Sequence, residues 1–174
     1  VLFFSRRIGL SEGRAVPVVG GGRLTGRVGQ FSVGALNIQT DEKPSAGAAA
    51  TNFTVMRVKR DILRRSNIGI IATRRAPTEG AGGSNLALGI DTSLRFFTSL
   101  AVDGYYARTD TPGLAGDPSS YRGAIDYRGD RYGLELNHML VGEGFNPEIG
   151  FMRRLAFRRT STMARFSPRP ESSR

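Results

Sequence analysis

Period-two alternation, repeated in stretches of about ten residues and joined by connections that are short and long in turn, most narrows what this chain can become. In NLALGIDTSLRF, Leu86, Leu88, Ile90, Thr92, Leu94 and Phe96 fall on one face. Asn85, Ala87, Gly89, Asp91, Ser93 and Arg95 fall on the other. Strict alternation of this kind marks a strand with two unlike faces, and helical periodicity is nearly absent. FTSLAVDGYYAR, GRLTGRVG and YRGAIDYRGDRYGLELNHML repeat the pattern.

Breakers and turn residues predict ten strands, near 2–10, 21–29, 31–40, 52–60, 67–75, 85–95, 97–108, 121–128, 131–140 and 149–159. Gly29-Gln30 and Gly129-Asp130 put glycine first in two-residue links, which suits primed hairpin turns. The links at Arg95 to Phe97 and Asp61 to Ser66 are also short. SEGRAVPVVG, DEKPSAGAAAT, APTEGAGGS, TDTPGLAGDPSS and VGEGFNPE are long. Strict alternation of short and long leaves no room for crossovers, so each strand pairs with its sequence neighbours. One end of the sheet carries tight turns and the other carries loops.

Strands of soluble sheets average about five or six residues, whereas a tilted strand needs about nine to eleven to cross a bilayer. The expected fold is therefore all-β, an antiparallel up-and-down transmembrane β-barrel. About ten of its strands lie here, as part of a larger barrel. Residues 1–160 form the barrel segment, and 161–174, with RFSPRPESSR, are a tail or a truncated continuation. The Tyr–Ile–Leu face meets lipid, and Phe96, Tyr121, Tyr127 and Tyr132 sit at strand ends, where an aromatic girdle belongs. Three places fit badly. Arg6 shares parity with Phe4 and Ile8, Arg153 and Arg159 share it with Phe151 and Leu155, and FSVGALNIQT changes parity between Val33 and Leu36.

The opposite face interleaves Arg23, Arg27, Arg57, Lys59, Arg122, Arg128 and Arg131 with Asp91, Asp103, Asp126 and Glu135. In a barrel these line the lumen, either as a salt-bridged wall or as a pore lining that sets ion preference. Arg122, Asp126, Arg128, Arg131 and Glu135 are expected to form a cross-strand charge ladder in the 121–140 hairpin. The net charge of +10 is almost entirely arginine, since Lys43 and Lys59 are the only lysines. It suits a polyanion such as lipopolysaccharide, or an anion-selective pore. The alternative is a soluble basic β-protein that binds a polyanion such as nucleic acid. Nucleic-acid β-modules set aromatics beside cations on one face, and here the two occupy opposite faces.

Catalytic chemistry finds little footing. There is no cysteine, and the one histidine, His138, shares parity with Leu134, Leu136 and Leu140. No nucleophile–base pair, metal site or cofactor site is expected, and the chain does not read as an enzyme. GGGRLTG enters a strand, whereas a phosphate cradle needs a helix behind its glycines. Asp110 and Asp117 read as turn residues ahead of calcium ligands. No apolar run reaches the length of a transmembrane helix. The chain opens in the strand-like VLFFSRRIGL without an initiator methionine, so it reads as a piece of a longer one.

SRRIG at 5–9, GRLTGRVGQFSVGALNIQT at 22–40, VMRVKRDI, SNIGIIATRR ending at 75 and FNPEIGFMRR at 145–154 occur in that order. Together they resemble an uncharacterised outer-membrane β-barrel domain that follows a family-nine-type carbohydrate-binding domain in Gram-negative bacteria. The resemblance implies a place in the bacterial outer membrane, in contact with its lipid and lipopolysaccharide. It implies a barrel of more than ten strands and a link to carbohydrate binding or uptake through a sandwich domain missing from this sequence. It carries over no catalytic residues.

Overall fold

The computed structural model describes residues 2–11, 13–78, 83–152 and 154–168. A 3-10 turn at Ser5–Arg7 leads into a small antiparallel pair, β1 (Leu10–Ser11) with β2 (Arg14–Ala15). Nine long strands follow: β3 (Val18–Val28), β4 (Phe31–Thr40), β5 (Thr51–Leu63), β6 (Ser66–Pro77), β7 (Asn85–Phe96), β8 (Leu100–Asp110), β9 (Ser119–Arg128), β10 (Tyr132–Val141) and β11 (Phe157–Phe166). They form one antiparallel sheet in simple up-and-down order, each hydrogen-bonded only to its sequence neighbours. The sheet is not closed, and β3 and β11 are its edges.

The tight connections alternate with the long ones as the sequence requires. Gly29 takes φ +57 in the two-residue β3–β4 turn, a conformation that glycine adopts without strain. Residues 64–65 join β5 to β6. Residues 97–99 join β7 to β8, with Phe97 at φ +54, and residues 129–131 join β9 to β10. The last link is thus three residues long rather than the expected two.

Two of the ten expected strands lie elsewhere. Residues 2–10 do not join the large sheet; Gly9 at φ +79 breaks the run, and the Phe4 N–H donates to the Ile149 carbonyl at 2.9 Å. The final strand begins at Phe157 rather than 149. Pro147 has no N–H for a ladder, the Gly150 N–H closes a turn onto its carbonyl at 2.8 Å, and Ala156 sits at φ +53. The segment read as tail from 161 therefore starts inside β11, and residues 169–174 lie outside those described. The same shift removes two misfits. Arg6 belongs to a helical turn, and Arg159 points to the charged face, opposite Met139. Arg153 lies outside the described residues.

Among the described residues no second layer covers the Leu/Ile face. Leu86, Leu88, Ile90, Leu134 and Leu136 are all between 36% and 51% exposed. On the other face the polarity inverts along the height of the sheet. Toward the tight turns the inner face is charged. Toward the long loops it is apolar, with Leu36, Ile38, Val55 and Ile71, while Asn37, Asn52 and Thr54 bond to one another on the outside. The parity change in FSVGALNIQT is this inversion, carried by a strand in regular register without a bulge.

The long connection 142–156 folds back over the inner face and supplies the core. Phe145 and Ile149 are no more than 1% exposed, and Phe145 packs with Ala107 and Val141, flanked by Leu2, Tyr105, Met139, Met152 and Phe157. At its root, Gly142 and Gly144 lie against the backbone of residues 115–117. A Cβ on Gly142 would overlap the Asp117 carbonyl, and one on Gly144 would come within 2.8 Å of the Ala115 carbonyl. Gly142→Val forces these backbones apart, at a cost of about 1–3 kcal/mol for overpacking. Urea unfolding of the full-length protein should report that loss; an unchanged midpoint would show that the two loops are not in register contact.

Candidate functional site: the charged inner face

Antiparallel partners point to the same side of a sheet, so the register assigns each side chain a face. Arg23 and Arg27 lie on β3, Arg57 and Lys59 on β5, Asp91 on β7, Asp103 on β8, Arg122, Asp126 and Arg128 on β9, and Glu135 on β10. The chain of partners from Arg27 opposite Ser32 to Asp126 opposite Glu135 puts all of them on the inner face. Arg131 is the exception, because it sits in the link between β9 and β10.

These groups are brought together as pairs: two reach over an intervening strand, one joins neighbouring strands and one lies along β9. Arg57 on β5 reaches over β6 to clasp both carboxylate oxygens of Asp91 on β7, with Nη2 to Oδ1 at 2.8 Å. The strand it crosses presents buried Gly69, whose added Cβ would sit 2.7 Å from that guanidinium. Asp103 receives Arg95 through two nitrogens, at 2.9 and 3.2 Å, and the Ser93 hydroxyl at 2.7 Å. Arg27 meets Asp61 at 2.7 Å, and Arg128 meets Asp126 at 2.6 Å. Two-pronged arginine–carboxylate contacts fix geometry as well as charge.

The ladder expected in the 121–140 hairpin takes a different form. Asp126 and Glu135 stand directly opposite each other, Arg122 opposite Met139, and Arg128 opposite Gly133. Two facing acids repel, and Arg128 relieves the repulsion by binding Asp126. Arg122 donates to the Asn137 side-chain oxygen at 3.2 Å instead of to an acid.

Sequence reasoning omitted four partners, the first being Asp61, which holds Arg27. Arg95 shares the parity of Asp91 and Ser93, and that signal was sufficient to find it. Arg75 on the inner face of β6 pairs with Glu148 of the folded-back loop at 2.9 Å. Asn85, fully buried at the start of β7, donates to the Asn146 carbonyl at 2.8 Å and the Thr111 hydroxyl at 2.7 Å. No local pattern announces either of these, since both depend on where the loop lands.

Once the pairs are set aside, the inner face keeps an excess of positive charge. Arg23, Lys59 and Arg159 have no hydrogen-bond or ion-pair partner among the described residues, and Arg122 and Arg165 meet only neutral oxygens. Glu135 is the one strand acid on this face without an ion pair among the described residues. His138 lies on the outer face, half-buried, bonded to the Thr160 hydroxyl at 2.8 Å and stacked on Tyr121. Asp117, in the β8–β9 loop, accepts from the Ser119 hydroxyl and backbone N–H, which hold its carboxyl below the usual range. That is a turn cap, and among the described residues no three acidic or histidine groups converge for a metal ion.

No protein-family model, no curated protein and no solved structure matches the chain.

Proposed function

We propose that this chain forms part of the wall of an outer-membrane β-barrel, with its apolar face against lipid and its charged face lining a water-filled lumen that favours anions. The carrying observation is the uncovered apolar face on long, sequentially paired strands. A soluble sheet must bury such a face under a second layer, and an exposed apolar area of this extent marks an interaction surface. On β7 the outer face is almost wholly apolar from Leu86 to Phe96, ten residue steps. At about 3.4 Å per residue that is about 34 Å along the strand. With a strand tilt of about 40° it covers about 26 Å of height, close to the apolar band of outer-membrane barrels. Phe31, Phe96, Tyr127, Tyr132 and Phe166 ring the tight-turn end, where aromatic side chains anchor at a lipid–water boundary.

Closure follows from the same physics. The outward N–H and C=O groups of β3 and β11 have no partners in hydrocarbon, so further strands must pair with both edges. The resemblance to the outer-membrane barrel domain supports this reading, and with it contact with lipopolysaccharide and a carbohydrate link through another domain.

The arginine-rich residue of charge on the inner face gives the reading its test. Full-length protein in a planar bilayer, measured in a salt gradient, should show a reversal potential displaced toward the anion's equilibrium value. Cation preference, or no conductance, would leave the arginines only as braces of the wall.

A further inference from the structure

We infer that the apolar half of the inner face is a binding site for a free amphiphile, an acyl tail carrying a single carboxylate head. A cleft of about 730 Å³ opens there, within the range of small-molecule sites. Its floor is Leu36, Ile38, Val55 and Ile71, from three adjacent strands, and Phe145 and Met152 of the folded-back loop close over it. A lumen wall is ordinarily polar, and the folded-back loop covers this apolar part of it only incompletely, leaving the cleft between loop and strands.

The charged side chains that line the cleft decide the chemistry of the head group. Arg57, opposite Ile71, and Asp91 are already neutralised by each other. Arg23 lines the cleft opposite Leu36 of its floor and has no partner among the described residues. One unneutralised guanidinium beside apolar walls selects an anion with an apolar tail, and its planar donor fork suits a carboxylate. The cleft opens on the inner face, whereas lipid tails lie against the outer one. A bilayer lipid therefore reaches it only by leaving the bilayer, which favours a free single-chain acid. The choice of a free acid over a bilayer lipid rests on the proposed membrane setting, which labelling of the outer belt tests separately from the cleft.

Photo-crosslinking separates these possibilities. Full-length protein in lipid nanodiscs is irradiated with a diazirine-bearing palmitic acid, and labelled peptides are mapped by mass spectrometry. The outer belt around Ile90 and Leu134 serves as an internal control, since any membrane-dissolved probe labels it. The expected result is labelling of the peptides that contain Ile71, Phe145 and Met152. It should fall by about threefold to tenfold in Arg23→Gln, the span of one charge-assisted contact at a partly exposed site. It should fall equally with the corresponding alcohol or lysophosphatidylcholine probe, and vanish in Ile71→Trp, which fills the cleft, while the outer belt is labelled throughout. Inner-face peptides left unlabelled would overturn the assignment. So would labelling that is indifferent to the head group, to Arg23→Gln or to Ile71→Trp.

Discussion

Ile90→Arg is expected to destabilise the full-length protein in lipid vesicles by about 2–4 kcal/mol, the cost of a lipid-facing arginine at mid-depth. Ile90 lies between Ile70 and Tyr106 in register and is 44% exposed, so an arginine there has room and no acid to meet. Leu86→Arg, on the same strand and face but between Arg74 and Asp110 in register, should cost no more than about 1 kcal/mol, because the penalty fades toward the boundary. The pair discriminates sharply between media. In water, a substitution at an exposed side chain stays within about 0.5 kcal/mol wherever it sits. Equilibrium urea unfolding of both variants therefore reads depth, and equal small effects would place this face in water.

How much of this was legible beforehand follows from the range of each interaction. Facing within a strand depends only on period two, so Arg23, Asp91, Asp103 and Glu135 were assignable to one face without any tertiary knowledge. Turn chemistry is equally local at Gly29. What depended on register was not legible. Nothing in YRGAIDYRGDRYGLELNHML states that Asp126 will stand opposite Glu135 rather than opposite an arginine, because one residue more in the turn slides the whole pairing. Residues 149–156 mislead for another reason. Ile149, Phe151 and Leu155 have the apolar spacing of a strand, but the Gly150 N–H closes a turn onto the Pro147 carbonyl, and Ile149 is satisfied by burial in the core. The misfit at Arg6 came from assigning a strand that the chain does not make there, and the one at Arg159 from starting the last strand at 149 rather than at Phe157.

Freeing that loop is the second change with a large expected effect. From its root on β10 it reaches Arg75 on β6, four interstrand spacings away, or about 19 Å at about 4.8 Å each. In a closed barrel, a segment laid that far across the inner face narrows the lumen. Its polar attachments are the Arg75–Glu148 ion pair, Asn85 to the Asn146 carbonyl, the Glu148 N–H to the Asn85 side-chain oxygen at 3.4 Å, the Asn146 N–H to the Thr109 hydroxyl at 3.0 Å and the Phe4 N–H to the Ile149 carbonyl, beside the buried Phe145 and Ile149. Asn85→Leu keeps the branched shape but leaves the part-buried Asn146 carbonyl without its donor, and Glu148→Gln removes the charge from the pair. Each costs about 1–3 kcal/mol of attachment, so together they should loosen the loop, which Phe145 and Ile149 still hold to the inner face. Single-channel conductance in planar bilayers should rise by about twofold or more, since flow through a narrow pore follows its open section. A Thr109→Cys and Asn146→Cys pair added to the double variant supplies the reverse experiment, and this stretch has no other cysteine to compete. Oxidation should return conductance to the original level and reduction should raise it again. A conductance that follows neither change would mean that the loop lies outside the path of the ions.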